Sequence, residues 1–374
     1  MLLLTPGPVA TSPEVKAAFA QDYAPWDPDF RVLHASLRRR LLQLAGGDPA
    51  THALLPLQGC GHFAMEAAIR TFVPREGRLL IPITGDYARR MARLAEEAGR
   101  HVVPLPMGAA ERLSPAAVAA ALEADRSISH VGLVYSETAT GICHDVLATG
   151  ELVAALGRRT IIDAVSAFGA LPLDLATLPE LDAAVFTSNK CLEGMPGIGF
   201  VAAPIERILA AKGNAGSWCF DLADVHQHSI GTAPGTWRFT PVPQAVAALL
   251  KALDLLEAEG GREARLARYT ANQTCLYDGA QALGLAPYVA KSLQGPIVVN
   301  VHAPDDPAWD LAAFVAALKR RGVLISNFYN TPLPSFRLGC IGALTPDDMR
   351  HALAMIAEAL ADLGLRTRAA APGR

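Results

Sequence analysis

The segment TSNKCLEGMPGIGF, residues 187–200, contains a single lysine, Lys190, between an apolar run and a glycine-rich loop. Burying an ammonium group is costly, so lysine is rare in such surroundings unless its chemistry is used. A lysine in a largely apolar crevice has a lowered pKa and can form a Schiff base with a carbonyl compound. For a lysine considered alone, a side chain that extends from a strand end towards solvent is the simpler interpretation.

A carboxylate, Asp163, ends the apolar run of TIIDAV, which precedes the run LDAAVFTS that leads to Lys190. An aspartate at a strand end commonly caps the following turn. It can also pair with the protonated nitrogen of a heterocyclic cofactor. Because both residues follow strands of one predicted sheet, we expect them to face one crevice.

The third element is LQGCGHFAMEAAIR, in which Gly59 and Gly61 come just before an alanine-rich segment. Free backbone N–H groups at the start of a helix bind anions, although an ordinary helix cap explains two glycines as well. A phosphate-binding turn, an aspartate and a lysine together are what pyridoxal phosphate requires. Tyr87, in TGDYARRM, could stack on the cofactor ring, whereas a single loop tyrosine more often serves packing.

These residues must be positioned by the elements between them. Short aliphatic runs predict buried strands and the alanine-rich segments between them predict helices. The predicted strands are RLLIPIT, HVVPLP, HVGLVYS, RTIIDAV, LDAAVFTS and GIGFVAA, and the helices are YARRMARLAEEAGR, SPAAVAAALEADR and ATGELVAALGRR. The alternation predicts an α/β fold whose mostly parallel sheet is covered on both faces and binds its ligand at the carboxyl ends of the strands.

The pattern changes after Gly235, where two long helical segments are followed by the strand candidates GPIVVNVHA, GVLISNF and SFRLGCIG and a helix from Pro346 to about Leu363. We therefore predict an N-terminal arm (1–12), a large domain (13–255) and a smaller C-terminal α/β domain (256–374). The tail, residues 365–374, is expected to fray.

Composition narrows the class of partner. The 374 residues are 51% hydrophobic and 18% charged, with a net charge of −3, so we expect no nucleic acid and no membrane partner. Six scattered cysteines, and an N-terminus without a basic leader, favour a reducing, cytoplasmic location. The apolar stretch AVAALLKALDLLEAEGG carries Lys251 and Asp254 and predicts a core helix. His226 and His228 lack a third ligand, so no metal is expected.

Several motifs in the same order resemble those of class V aminotransferases, which are fold-type-I pyridoxal phosphate enzymes. Within that family the chain is most similar to members that use an aminophosphonate. The motifs are LLLTPGPV, WDPDF, LLPLQGCGHFAMEAAI, SETATG, DAVSAFGALPLD, SNKCLEGMPGIGFV, GTWRFTP and FRLGCIG. The resemblance implies a large and a small domain, bound pyridoxal 5'-phosphate, an amino donor and a 2-oxo acid acceptor.

Carried over by position, Lys190 would form the Schiff base and act as general base and acid, and Asp163 would pair with the pyridine nitrogen. The phosphate-binding turn would comprise Cys60, Gly61 and His62. Tyr87 would stack on the ring.

Four further residues take roles from the resemblance. Thr138 would touch the phenolic oxygen of the cofactor, and Thr240 would reach the phosphate in a neighbouring subunit, which implies a homodimer. Arg337 would bind the anionic group of both substrates, because a guanidinium can bind a carboxylate or a phosphonate. Arg90 is a second candidate cation for that group.

The chain departs from the aminophosphonate-specific pattern at several positions. Cys60 and His62 replace a serine and a threonine. Ala139 replaces a hydroxyl residue, Glu193 a glutamine and Gly216 an arginine. If these positions lined the pocket, fewer cations and an extra carboxylate would disfavour a dianionic phosphonate.

The donor therefore stays open at this point. The leading interpretation is transamination of 2-aminoethylphosphonate, or a close aminophosphonate, with pyruvate, giving phosphonoacetaldehyde and L-alanine. The alternative is an α-amino acid donor, alanine or serine, with glyoxylate or pyruvate. A desulfurase would need a cysteine on a mobile loop, whereas Cys340 lies in a strand pattern and is expected to be buried. A non-enzymatic regulator lacks a DNA-binding segment, and MPGIGF lacks the full nicotinamide-binding fingerprint.

Overall fold

The structure, a computed structural model, describes residues 1–108, 110–231 and 235–367. The strands are β1 (Leu2–Leu3), β2 (His52–Gly59), β3 (Arg78–Ile83), β4 (His101–Pro106), β5 (Ile128–Val134), β6 (Ser136–Glu137), β7 (Ile142–Cys143), β8 (Arg159–Asp163), β9 (Leu181–Thr187), β10 (Gly197–Pro204), β11 (Val298–His302), β12 (Val323–Leu324) and β13 (Ser335–Gly339). The helices are α1 (Pro13–Phe19), α2 (Pro28–Leu44), α3 (Gly61–Phe72), α4 (Asp86–Glu97), α5 (Pro115–Ala124), α6 (Val146–Ala155), α7 (Ile205–Ala210), α8 (Leu222–Gly231), α9 (Pro243–Glu259), α10 (Gly261–Ala282), α11 (Leu311–Arg320) and α12 (Pro346–Asp362).

The central sheet has seven strands in the order β2-β10-β9-β8-β5-β3-β4. Its pairs are parallel except those of β10, which runs antiparallel to both β2 and β9. All six strands predicted for this part of the chain are present, and the prediction of a mostly parallel sheet is confirmed. Strand β2 was not predicted. It contains Pro56, which cannot donate a ladder hydrogen bond and is tolerated because β2 lies at the edge of the sheet.

Both faces of this sheet are covered by helices, as its continuous apolar strands require. Every residue of β9 is buried. On one face the core includes Leu41 of α2 and Leu249 of α9. On the other it includes Ile69 of α3 and Met91 of α4. Helix α9, which contains the long apolar stretch, is thus a core helix, and no described helix is both long and apolar enough to cross a membrane.

The C-terminal part has its own small sheet, in which β11 and β13 are antiparallel. Phe314 of α11, Phe336 of β13 and Ile356 of α12 share one core there. Strand β1 pairs in parallel with β12, which attaches the N-terminal arm to this part. The predicted domain boundary at residue 255 falls inside α9, so the division of the chain stays a prediction. Leu365, the first residue of the predicted tail, is buried in the same core, and residues 368–374 lie outside the described residues.

Candidate active site

Most of the predicted site residues, all except Thr240 and Arg337, lie at or beyond the ends of five strands that share one direction. Strands β3, β5, β8 and β9 are parallel, and β2 has the same direction because both are antiparallel to β10. Their carboxyl ends therefore meet at one edge of the sheet, where such folds bind ligands. Seven of the predicted residues line one pocket at that edge: Cys60, Gly61, His62, Tyr87, Arg90, Asp163 and Lys190.

Lys190 lies three residues beyond β9 and is 8% exposed. Its Nζ donates a hydrogen bond of 2.7 Å to the carbonyl oxygen of Pro6. Burial lowers its pKa below the usual value of 10.5, and the nearby Arg337 charge adds to this, whereas Tyr87 and Asp163 oppose it. The expected lowering of the lysine pKa is confirmed, and it favours the neutral, nucleophilic amine.

Asp163 is the last residue of β8, and its Oδ1 accepts a hydrogen bond of 2.9 Å from the Val165 N–H. Burial raises its pKa to about 6, although the Val165 N–H and the Lys190 charge act in the opposite direction. The negative charge of the Asp163 carboxylate is therefore only partly balanced by neighbouring protein groups. A protonated ring nitrogen beside it would supply the missing positive charge.

The turn before α3 is the candidate anion site. Cys60 occupies the N-cap position without a side-chain hydrogen bond to the helix. A Cβ at Gly61 would lie 2.6 Å from Cγ2 of Val165, so only glycine fits there. The helix start thus offers backbone N–H groups and a favourable dipole to an anion. His62 in its first turn is half-buried, and burial, followed by the charges of Arg90 and Lys190, lowers its pKa.

Two arginines flank Tyr87. Arg90 lies on α4, its guanidinium carbon is 5.0 Å from the centre of the Tyr87 ring, and it pairs with Asp86 at 2.9 Å. Arg337, on β13, is buried and donates a hydrogen bond of 3.3 Å to the Thr138 carbonyl. Burial lowers the pKa of Arg337, and its interaction with the Tyr87 side chain counteracts that. Arg90 lines the pocket, whereas Arg337 is not among its lining residues and reaches it only through Tyr87. Two guanidinium groups beside Tyr87 suit an anionic group.

The two threonines occupy different surroundings. Thr138 is fully buried, and its hydroxyl has no hydrogen-bond partner among the described residues. Thr240 is exposed and outside this pocket, and its carbonyl accepts a hydrogen bond from the Gln58 side-chain amide. Its predicted role in a neighbouring subunit stays a prediction.

The departures from the aminophosphonate-specific pattern do not add charge to the pocket. Glu193 accepts hydrogen bonds from Arg268 at 2.8 Å and from the Tyr269 hydroxyl at 2.6 Å, in a buried network behind the Lys190 loop. The condition that it line the pocket is therefore not met. A Cβ at Gly216 would lie 3.6 Å from the Arg75 guanidinium, also outside the pocket.

Sequence reasoning missed two parts of the site. The N-terminal arm contributes the Pro6 carbonyl, for which the glycine between two prolines in TPGP was the available signal. Glu137, in the motif SETATG, is fully buried between the Tyr87 and Thr138 segments. An acidic residue just after an apolar strand was its signal.

The donor set fits pyridoxal phosphate. It combines a lysine of lowered pKa, a strand-end carboxylate, a helix start without a side-chain cap and the unpartnered hydroxyl of Thr138. Cys340 is fully buried, as expected, and burial raises its thiol pKa, so it does not suit a desulfurase nucleophile.

This fold and this pocket define an aminotransferase, and the chain belongs to the class-V aminotransferase family, whose sequence model matches residues 39–327. It is 42% identical over 365 residues to 2-aminoethylphosphonate–pyruvate transaminase 2 of Burkholderia lata, covering 98% of this chain and 96% of that protein. It is 43% identical over 362 residues to 2-aminoethylphosphonate–pyruvate transaminase of Pseudomonas fluorescens, covering 97% of each. The crystal structure of pyridoxamine–pyruvate aminotransferase from Mesorhizobium loti superposes with a TM-score of 0.88 at 26% identity, covering 99% of this chain and 94% of that one. The predicted fold-type-I class is confirmed.

Proposed function

We propose that this protein is a pyridoxal phosphate-dependent aminotransferase that transfers the amino group of 2-aminoethylphosphonate, or a close aminophosphonate, to pyruvate. The products would be phosphonoacetaldehyde and L-alanine. The similarity to two 2-aminoethylphosphonate–pyruvate transaminases, at 42% and 43% identity, supports this donor. The structural observation that carries it is a pair of arginines beside Tyr87: Arg90 lines the pocket that holds Lys190, and Arg337 interacts with the Tyr87 side chain.

The cofactor would be held by residues that the fold already brings together. Lys190 would bind it covalently, Asp163 would keep its ring nitrogen protonated, and the start of α3 at Gly61 would take its phosphate. The Thr138 hydroxyl is available for its phenolic oxygen. When bound, pyridoxal phosphate supplies the electron sink that makes the carbon–hydrogen bond of the amino donor acidic.

Once the amino donor has taken the place of Lys190 on the cofactor, the free Lys190 amine would remove a proton from the donor carbon. It would then deliver that proton to the cofactor carbon that is joined to the amino nitrogen. Its lowered pKa suits this role, since it increases the share of the unprotonated amine that can act as a base. The Pro6 carbonyl, as acceptor of the Lys190 hydrogen bond, would orient the amine. The surrounding apolar walls, Met65, Met91 and Leu94, would limit access of water.

The two half-reactions place different anions in the same pocket, a phosphonate and then a carboxylate. Arg337 can bind either one with parallel hydrogen bonds. Arg90 would add a second positive charge, which a dianionic phosphonate uses more fully than a monoanionic carboxylate. The network around Glu193 keeps that carboxylate away from the substrate, which supports the phosphonate donor.

A second copy of the chain is part of the proposal. Trp218 and Phe239, beside Thr240, are 68% and 46% exposed and pack edge to face at 4.9 Å between ring centres. Exposed aromatic groups of this size are typical of interfaces. We infer a homodimer in which Thr240 serves the neighbouring site. Free cysteines throughout the described chain support a cytoplasmic location.

One observation favours the α-amino acid alternative. Arg90 is already paired with Asp86, and this pair is partly exposed, so its free charge is reduced. A pocket with one effective cation would suit a monoanionic carboxylate, as in alanine or serine with glyoxylate or pyruvate.

A donor screen tests the proposal. The protein loaded with pyridoxal phosphate is incubated with pyruvate and either 2-aminoethylphosphonate or β-alanine, which differ in phosphonate against carboxylate. L-Alanine and L-serine with glyoxylate form the third arm. Product is followed as L-alanine or glycine and by phosphorus NMR. Turnover of 2-aminoethylphosphonate well above that of the other amines is expected.

A response to α-amino acids alone would overturn the proposed donor and leave the aminotransferase class intact. Lys190→Ala is the matched control. It should bind the cofactor without the visible absorbance of the lysine-bound form and should have no turnover.

A further inference from the structure

Glu137 is a fully buried glutamate that accepts two backbone hydrogen bonds. Its Oε2 accepts from the Tyr87 N–H at 3.1 Å, and its Oε1 accepts from the Ala139 N–H at 3.0 Å. The two donors belong to different segments of the chain, 50 and 2 residues away from the carboxylate. One side chain therefore ties two loops of the pocket together.

The first of these segments is the start of α4. The N-cap residue of this helix is Gly85, which has no side chain to satisfy the free N–H groups. The Glu137 carboxylate takes that place from β6, with a charge that also complements the helix dipole. A Cβ at Gly85 would lie 2.4 Å from Glu137 Oε2, so the close approach requires glycine. The helix turn fixed in this way carries Tyr87 and Arg90.

The second segment is the turn after β6. Besides the Ala139 N–H on Glu137, it presents the Thr138 carbonyl, which accepts the Arg337 hydrogen bond. Glu137 thus binds the two segments that hold the arginines. One is α4, which carries Arg90, and the other is the turn whose Thr138 carbonyl accepts the Arg337 hydrogen bond.

We propose that Glu137 is a positioning residue for the substrate anion: its ionised carboxylate fixes the start of α4 against the Thr138 turn and so sets the spacing of Arg90 and Arg337. This rests on the proposed function, because it concerns the same anion-binding end of the pocket. Glu137 does not line the pocket, so it acts through the residues it holds.

The charge state of Glu137 allows a second test, the dependence of KM on pH. Burial, the two N–H donors and the charges of Asp163 on β8 and Asp86 on α4 together raise its pKa to about 7: burial and the two aspartates raise it, and the N–H donors oppose them. A protonated carboxyl group keeps fewer acceptor sites for the two donors. As the pH falls through 7, the substrate-binding end should loosen and KM should rise.

The test compares Glu137→Gln with Glu180→Gln. Glutamine at 137 keeps one acceptor and turns an N–H₂ group towards the other backbone donor. Glu180 is a matched control because it is also buried, with carboxylate oxygens that have no partner among the described residues, and it does not line the pocket. For Glu137→Gln we expect KM for donor and acceptor to rise about tenfold, with a smaller change in kcat. The dependence of KM on pH near 7 should disappear.

Hydrogen exchange supplies a readout that does not need turnover. In the cofactor-free protein, the amides of Tyr87 and Ala139 should exchange faster in Glu137→Gln and at the wild-type rate in Glu180→Gln. The affinity for pyridoxal phosphate, followed by visible absorbance, should fall by a smaller factor than KM rises, since Lys190, Asp163 and the start of α3 are unchanged.

Gly85→Ala is the second variant, for the case that Glu137→Gln does not fold. It leaves the charge in place but displaces the carboxylate, so the same rise in KM and in amide exchange is expected. Wild-type KM, pH profile and amide exchange in a folded Glu137→Gln, or in Gly85→Ala, would overturn the inference. If the wild-type protein uses only an α-amino acid, the proposed donor fails, and KM for that amino acid decides the role of Glu137.

Discussion

The side-chain nitrogen of Lys190 donates a hydrogen bond to the carbonyl of Pro6, a residue 184 positions earlier in the chain. The next residue, Gly7, lies against the same side chain: a Cβ there would be 2.4 Å from Cδ, Cε and Nζ of Lys190. Gly7 also has a φ of +143°, a conformation that only glycine adopts readily. The arm is thus part of the wall that holds the lysine.

Gly7→Ala should therefore displace the lysine side chain. We expect the affinity for pyridoxal phosphate to fall about tenfold or more, because the Cβ and the lysine cannot share the space. The measurement is a titration followed by the visible absorbance of the lysine-bound cofactor. Gly213→Ala is the control, since it imposes a similar backbone strain at φ +82° with no neighbour within 4 Å. Equal affinities in the two variants would contradict the contact.

Substitutions of Arg337 and of Arg90 should have different effects on the KM values of the two substrates. Arg337→Lys should raise KM for both substrates about ten- to hundredfold, because an ammonium cannot replace a guanidinium that binds an anion with two hydrogen bonds. Arg90→Ala should raise KM for 2-aminoethylphosphonate by about tenfold and for pyruvate much less. Arg93, whose side chain is 80% exposed on the same helix, offers the control Arg93→Ala. A similar rise for both substrates in Arg90→Ala would show that Arg90 does not distinguish the phosphonate.

Replacing Glu193 should affect stability more than substrate binding. Glu193→Gln leaves Arg265 and Arg268 with Glu259 as the remaining carboxylate of this buried network. Loss of one partner from a buried ion pair costs about 3 kcal/mol or more in the free energy of unfolding. Urea denaturation measures this loss, and KM for the amino donor should be unchanged in the folded variant. A tighter KM for 2-aminoethylphosphonate in Glu193→Gln would mean that this carboxylate does influence the pocket.

His144 should make the protein sensitive to acid. Its Nδ1 accepts a hydrogen bond of 3.1 Å from the Leu113 N–H, and burial lowers its pKa from 6.5 to about 4. Between these values the unfolded chain binds a proton that the folded protein does not, so stability falls as the pH decreases from 6.5 to 4, by roughly 3 kcal/mol for this site. His144→Asn keeps an acceptor for Leu113 and does not titrate.

The difference in unfolding free energy between wild type and His144→Asn isolates this contribution. This comparison with the variant is needed because Glu137 changes stability with pH in the opposite direction. Its raised pKa makes the free energy of unfolding fall as the pH rises from 4.5 to about 7. The variant should become more stable relative to wild type as the pH is lowered. A difference that does not change with pH would assign the acid sensitivity to other groups.

The sequence predicted those parts of the fold that depend on local pattern. Six central strands, the helices between them and the positions of Lys190 and Asp163 at strand ends follow from runs of aliphatic residues and from the geometry of parallel sheets. The contacts that join these strand ends are made by residues far apart in the chain. No periodicity of the sequence predicts such contacts. The Pro6 carbonyl on Lys190 and the Glu137 carboxylate on the Tyr87 amide are both of this kind.

The family resemblance could not place charges either. Glu193 stands where a glutamine is usual in the related sequences, and the motif alone therefore suggested an extra negative charge near the substrate. Arg268 and Tyr269, on a helix more than 70 residues later, decide that question by binding the carboxylate. A substitution within a motif is interpreted correctly only when its partners outside the motif are known.

The pairing of β1 with β12 has a consequence for how the protein is made. Leu2 and Leu3 leave the ribosome long before the strand that anchors them, Val323–Leu324, is synthesised. The central sheet can form around Lys190 long before the arm has anything to pair with. Until then the lysine should have no Pro6 carbonyl beside it, and the candidate active site should reach its final form only after Val323–Leu324 has been synthesised.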